Sequence, residues 1–151
     1  MHKIPTRLFL GFLAGGLSHL IFQDGFLAFL HLANLAPNLP WSLKPVPPLG
    51  VPLSLNLAFW AGLWGVAYAA LEPRLTARFG WLPGGLVFGI APLAVFWFVV
   101  LPLKGLGVGG GFDPLYIALH LIYGLGTAIL FRSAFAAAQR PDRTSPEALP
   151  G

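Results

Sequence analysis

The chain contains no cysteine, and its single methionine is Met1. The first absence excludes disulfides, a thiolate nucleophile, Cys-ligated zinc and iron–sulfur clusters. The second removes thioether ligands for copper. Charge is also scarce. Charged residues make up 9% of the chain, with only five acids, against about 25% in a soluble domain. So little charge cannot coat a water-facing surface. Hydrophobic residues fill the gap, at 56% and a mean hydropathy of +0.75. The expected fold class is all-α: a polytopic membrane protein with four transmembrane helices in an antiparallel bundle. The 151 residues suit one domain over 1–138, followed by a disordered cytoplasmic tail over 139–151. A net charge of +4 would suggest a nucleic-acid partner in a soluble protein. Here the basic residues sit at helix ends, so they read as topology signals and no nucleic-acid partner is expected.

The run Leu8 to Leu32, LFLGFLAGGLSHLIFQDGFLAFLHL, is long and apolar enough to cross a bilayer. Yet Ser18, His19, Gln23 and Asp24 interrupt its middle. Ionisable groups inside a span are costly and point to function. The basic start of the chain resembles a signal peptide, but the apolar run is too long and too polar at its centre, so a retained helix over about 8–33 is expected. On an ideal helix His19 and Gln23 share a face with Gly15 and Gly16, whereas His19 and Asp24 project about 140° apart. Asp24-Gly25 could also end the helix, leaving the residues beyond as an interfacial segment.

Residues 34–52 carry six prolines, which forbid a regular helix and favour an extended, semi-rigid loop with Trp41 at headgroup level. A second helix is expected over 53–72. It carries a small-residue stripe, Ala58, Gly62, Gly65 and Ala69, and an aromatic one, Trp60, Trp64 and Tyr68. Glu72-Pro73-Arg74 and Arg78 read as a charged turn. A third helix is expected over 82–103, with Gly85 and Gly89 as a GxxxG pair and Pro92 as a central kink. The loop KGLGVGGGF lacks the Gly-Lys-Ser/Thr ending of a phosphate loop. Asp113-Pro114 reads as an N-cap followed by Pro at N1, opening a fourth helix over 114–136.

Seven of the nine Lys and Arg residues fall at the N-terminus, between helices 2 and 3, or after helix 4; only Lys44 and Lys104 lie in the other loops. The positive-inside rule then puts both termini in the cytoplasm.

The segments PVPPLGVP, LAFWAGLWG, LPLKG and YGLGTAIL resemble a family of small four-helix bacterial inner-membrane proteins with no known activity. The resemblance covers roughly residues 8–135 and implies fold and location only. That family has His-Gln-Gly where this chain has Gln23-Asp24-Gly25, so its first-helix His is missing here.

Depth along the helices, at about 1.5 Å per residue, groups His19, Gln23, Asp24, Asn56, His120 and Tyr123, with Tyr116 nearby, in the half of the bilayer away from the termini. These residues form a candidate polar pocket open to the periplasm. The other half has almost no polar side chains. An unpaired carboxylate in the span is strongly disfavoured as the anion, so Asp24 is expected either to find a partner on another helix, His120 first, or to reach periplasmic water. Three functions follow. The first is a small-solute or proton-coupled transporter, or an accessory subunit, without cofactor. Four short helices enclose little volume, so a homo-oligomer or larger membrane complex is expected beside the lipid bilayer as partner. The second is a haem-b protein with His19 and His120 as axial ligands. The third is a membrane enzyme using His and Asp as acid and base. No catalytic motif and no metal-ligand spacing is present.

Overall fold

The computed structural model describes residues 3–139. The tail expected over 139–151 lies, beyond Gln139, outside the described residues. Four helices are long and apolar enough to span a membrane: Ile4–Leu32, Leu53–Phe79, Trp81–Leu103 and Pro114–Ala138, here α1 to α4. Helices α1 and α2 pack together, as do α3 and α4, and the two pairs meet through α1 against α4 and α2 against α3. The protein is an all-α integral membrane bundle.

Its polarity is inverted relative to a soluble domain. Ser18 and Thr127 are fully buried, and His19 and Asp24 are 5% and 6% exposed, while Phe9, Ile21, Phe59, Ile90 and Phe98 point outward. Apolar side chains facing hydrocarbon lose nothing, whereas a polar group facing it lacks any partner, so the polar groups turn inward.

With no hydrophobic force to join helices in lipid, close backbone approach supplies the contact. A Cβ on Gly65 would collide with the carbonyl oxygen of Gly11, and one on Gly15 with that of Ala61. Gly85 and Gly124 face each other across the α3–α4 contact, and Gly89 lies against the His120 carbonyl. Gly62 instead receives the edge of the Phe12 ring. The expected aromatic stripe of α2 splits: Tyr68 enters the core against Phe88 and Phe131, while Trp60 faces outward.

One expectation needs correction. The charged turn at 72–74 does not form, because α2 continues through Pro73 to Phe79. Proline removes one helical donor, and here that donor belonged to the carbonyl of Ala69. Arg7 Nε of α1 donates to this carbonyl instead, at 2.8 Å, so the helix loses a bond without losing the partner of its oxygen. The chain turns at Gly80, whose φ of +84° is one that L side chains rarely adopt. Helix α1 runs through Asp24-Gly25 as the expected span over about 8–33 requires, and the alternative break there does not occur. It passes from Lys3–Ser18 through a π-helical turn, His19–Gln23, into Asp24–Leu32. Helix α3 carries a similar π-turn at Phe96–Val100, one turn after Pro92.

The 34–52 loop contains a short hairpin of two-residue strands, β1 (Pro45–Val46) against antiparallel β2 (Val51–Pro52), and turns and bends make up much of the remainder. Asp113 caps α4 as expected, its side chain accepting from the Leu115 amide at 2.9 Å.

Candidate functional site

The site begins with the π-turn. Within it the Asp24 amide donates to the carbonyl of His19, five residues back, instead of to Leu20 four back. Such a turn holds one extra residue, so the side chains either side of it move toward a common face. The separation of about 140° expected from an ideal helix therefore does not hold: His19 Nε2 comes within 3.9 Å of Asp24 Oδ2.

The same turn leaves the Leu20 carbonyl without its α-helical donor. Trp41, from the 34–52 loop, supplies one through its indole Nε1 at 2.8 Å. The Trp41 backbone amide donates to Asp24 Oδ2 at 3.3 Å. Trp41 holds a φ of +46°, a conformation that costs energy for a bulky residue and persists where surrounding contacts impose it. One loop residue thus closes over both the backbone defect and the carboxylate.

His19 Nδ1 is 2.8 Å from Gln23 Oε1. A carbonyl oxygen accepts only, so Nδ1 donates to it and Nε2 is the ring nitrogen turned toward Asp24. Nε2 is buried and has no hydrogen-bond partner; among the described residues only it and Trp97 Nε1 are side-chain nitrogens or oxygens in that condition. With the ring neutral, the Nε2 lone pair and the Asp24 carboxylate are two acceptors facing each other in a buried site, and they repel. One proton on Nε2 converts the pair into an imidazolium beside a carboxylate, with no net charge.

The structure joins His19, Gln23 and Asp24 and leaves the other candidates to different tasks. His120 is not the partner of Asp24. Its Nδ1 donates to the Tyr116 carbonyl at 2.7 Å, and its ring lies against Phe96. Tyr123 is core: its hydroxyl donates to the Ala61 carbonyl at 2.7 Å, tying α4 to α2. The Tyr123 carbonyl in turn accepts from Ser18 Oγ at 2.7 Å and Thr127 Oγ1 at 2.9 Å. Asn56 is half-buried near the start of α2 and makes no side-chain hydrogen bond among the described residues. Trp41, which completes the site, lies in a proline-rich loop whose sequence gives no sign of where it folds back.

Ligand-holding capacity is limited in kind. Among the described residues no group of three or more His, Cys, Asp or Glu side chains could hold a metal ion. Both His19 and His120 commit Nδ1 to an oxygen and leave Nε2 for other use. Two surface grooves of about 300 and 290 Å³ lie elsewhere: one is lined by His31 and residues 34–37, the other by Trp81, Ile129, Arg132, Ser133 and Ala136. No family model, no curated protein and no solved structure matches this chain.

Proposed function

We propose that this is a proton-coupled membrane protein, either a small-solute transporter or the accessory subunit of one, in which the His19–Asp24 pair takes up and releases a proton. The observation that carries this reading is the buried, unpartnered Nε2 of His19 facing a buried carboxylate. Proton uptake at Nε2 removes a clash of lone pairs and leaves the site neutral, so the change is tolerable in a low-dielectric interior. Trp41 binds both Asp24 and the π-turn, so movement of either group on protonation is felt directly by the outer loop. π-turns recur at functional sites in helices, which agrees with this role.

The reading includes a bacterial inner-membrane location with both termini cytoplasmic, supported by the seven-to-two distribution of Lys and Arg, and by the resemblance noted above. The site then lies in the periplasmic half. Reporter fusions at Arg78 and Arg140 are expected to signal cytoplasm and one at Lys44 periplasm; the opposite pattern overturns the orientation. Assembly with further copies or a larger complex is part of the proposal, because four helices in backbone contact leave little room for a route through one bundle.

The functional test is proton flux in liposomes loaded with a pH-sensitive dye, with potassium and valinomycin setting the potential. Wild-type protein is expected to dissipate an imposed pH gradient faster than Asp24→Asn or His19→Gln at equal incorporation. Equal rates for all three proteins overturn the proton-carrying role. A haem-b reading rests on the two free Nε2 atoms of His19 and His120. It requires the His19–Asp24 contact and the His120–Phe96 packing to open, and a Soret band in the purified protein would favour it. A membrane enzyme using His19 and Asp24 as base and acid stands on the same pair and would need a substrate groove beside it.

A further inference from the structure

We infer that the groove between the start of α3 and the last turns of α4 is a binding site for the phosphate headgroup of an anionic phospholipid. The groove measures about 290 Å³ and is lined by Trp81, Ile129, Arg132, Ser133 and Ala136. It is separate from the His19–Asp24 pair and does not depend on the proton-coupled reading.

Depth is the first argument. From Pro114 to Arg132 the helix rises about 27 Å, and the 23 residues Trp81–Leu103 rise about 33 Å. The hydrocarbon core is about 30 Å thick. With Lys104 and Asp113 marking one membrane surface, Arg132 and Trp81 stand at the headgroup level of the other.

Charge is the second argument. The neighbouring carboxylate at this end, Glu72, is already engaged by Arg7 at 2.7 Å and by the Thr76 hydroxyl at 2.9 Å. Arg132 forms no ion pair among the described residues; its guanidinium lies over the Trp81 ring, 5.1 Å from the centroid. Arg74 and Arg78 stand at the same end without an ion pair among the described residues. An arginine fork matches two phosphate oxygens at once, and the Trp81 face holds that fork in place.

Shape is the third. The Ser133 hydroxyl offers a further donor beside the fork, while Ile129, Ala136 and the indole supply apolar walls for the glycerol and upper acyl region. A soluble anion has no use for those walls. Basic grooves at a membrane surface favour anionic over zwitterionic lipid.

The test is native mass spectrometry of the full chain, released from detergent after incubation with phosphatidylglycerol or phosphatidylcholine. Wild type is expected to retain phosphatidylglycerol about fivefold over phosphatidylcholine. Arg132→Gln is expected to remove this preference, and Lys104→Gln, at the other end, to keep it. Equal retention of both lipids by wild type overturns the site, as does an unchanged preference in Arg132→Gln. Ile129→Trp fills the groove while leaving the charge. It is expected to lose the lipid even if Arg132→Gln does not fold, and full retention in it counts against the site. Complete displacement of the lipid by millimolar inorganic phosphate would overturn the lipid assignment in favour of a free anion.

Discussion

The two ends of the bundle meet the same difficulty and resolve it to different degrees. At the end that holds the start of α1, Pro73 strips the Ala69 carbonyl of its donor, and Arg7 Nε replaces it. The rest of Arg7 is equally occupied. Its Nη2 reaches Glu72 at 2.7 Å, and its guanidinium lies 5.1 and 5.0 Å from the centroids of Phe131 and Phe135. Glu72 has a second partner in Thr76. At the loop end the π-turn strips the Leu20 carbonyl, and Trp41 replaces its donor. There the repair stops short: Asp24 receives one long bond from Trp41, and His19 Nε2 receives none. In lipid a polar group has only the protein to satisfy it. A saturated cluster is therefore structural, and an unsaturated one is where a proton or ligand can change the energy.

The largest effect that bears on this comparison comes from removing the frame common to both ends. Gly65→Leu forces α1 from α2 at the Gly11 contact, and a loss of about 3 kcal/mol or more is expected by thermal unfolding in detergent. Melting at the wild-type temperature would mean that the two ends are not held by this contact.

Next comes the saturated end. Arg7→Ala exposes the Ala69 carbonyl and leaves Glu72 without its cation. The pair is about one-fifth exposed, so the expected loss is about 2 kcal/mol, below that of a fully buried pair. Pro73→Ala returns a helical N–H to Ala69. In that background the loss from Arg7→Ala should shrink by about 1 kcal/mol. A double-mutant cycle with no coupling would show that Arg7 does not replace the proline's missing donor.

The unsaturated end should respond less, and in a residue-specific way. Asp24→Ala is expected to destabilise by about 1 kcal/mol, because the Trp41 amide loses its acceptor. Asp24→Asn keeps an acceptor and should melt within a few tenths of a kcal/mol of wild type. If Asp24→Ala weakens the protein as much as Arg7→Ala does, both ends are structural and the contrast between them disappears.

A modest effect is expected from Trp41→Phe, which keeps an aromatic ring and the backbone amide but removes the indole N–H from Leu20. A loss below about 1 kcal/mol is expected, together with faster hydrogen exchange at the 19–24 amides measured by mass spectrometry. Unchanged exchange there would show that the π-turn holds itself without the loop.

Several particulars explain what could be seen in advance. Four apolar runs, separated by a proline-rich loop, a charged stretch and a glycine-rich loop, announce four spans, because length and hydropathy are properties of the chain itself. The Gly65 and Gly85 contacts were legible from small residues recurring on one face. The Asp113 cap follows from two adjacent residues. By contrast, the local effect of proline makes Glu72-Pro73-Arg74 read as a turn, whereas the donor that rescues α2 is Arg7 of α1, 62 residues from the Ala69 carbonyl. The ideal helical period holds Asp24 and His19 apart, and nothing in HLIFQ marks the π-turn that brings them together. Depth along the helices makes His120 a partner for Asp24, whereas its own helix supplies an acceptor at Tyr116.

The sequence by itself thus determined the class of this protein: an all-α bundle whose helices suit lipid and whose polar side chains gather in particular stretches. These follow from composition and spacing, which any fold of the chain must respect. Only the tertiary structure decided which polar groups are satisfied. Arg7 reaches the carbonyl that Pro73 leaves free, and Trp41 reaches the one left free by the π-turn. His19 Nε2 reaches no partner. Each of those outcomes depends on where a distant segment comes to rest, and a hydrogen bond is decided within a few tenths of an ångström, a distance the sequence does not encode locally.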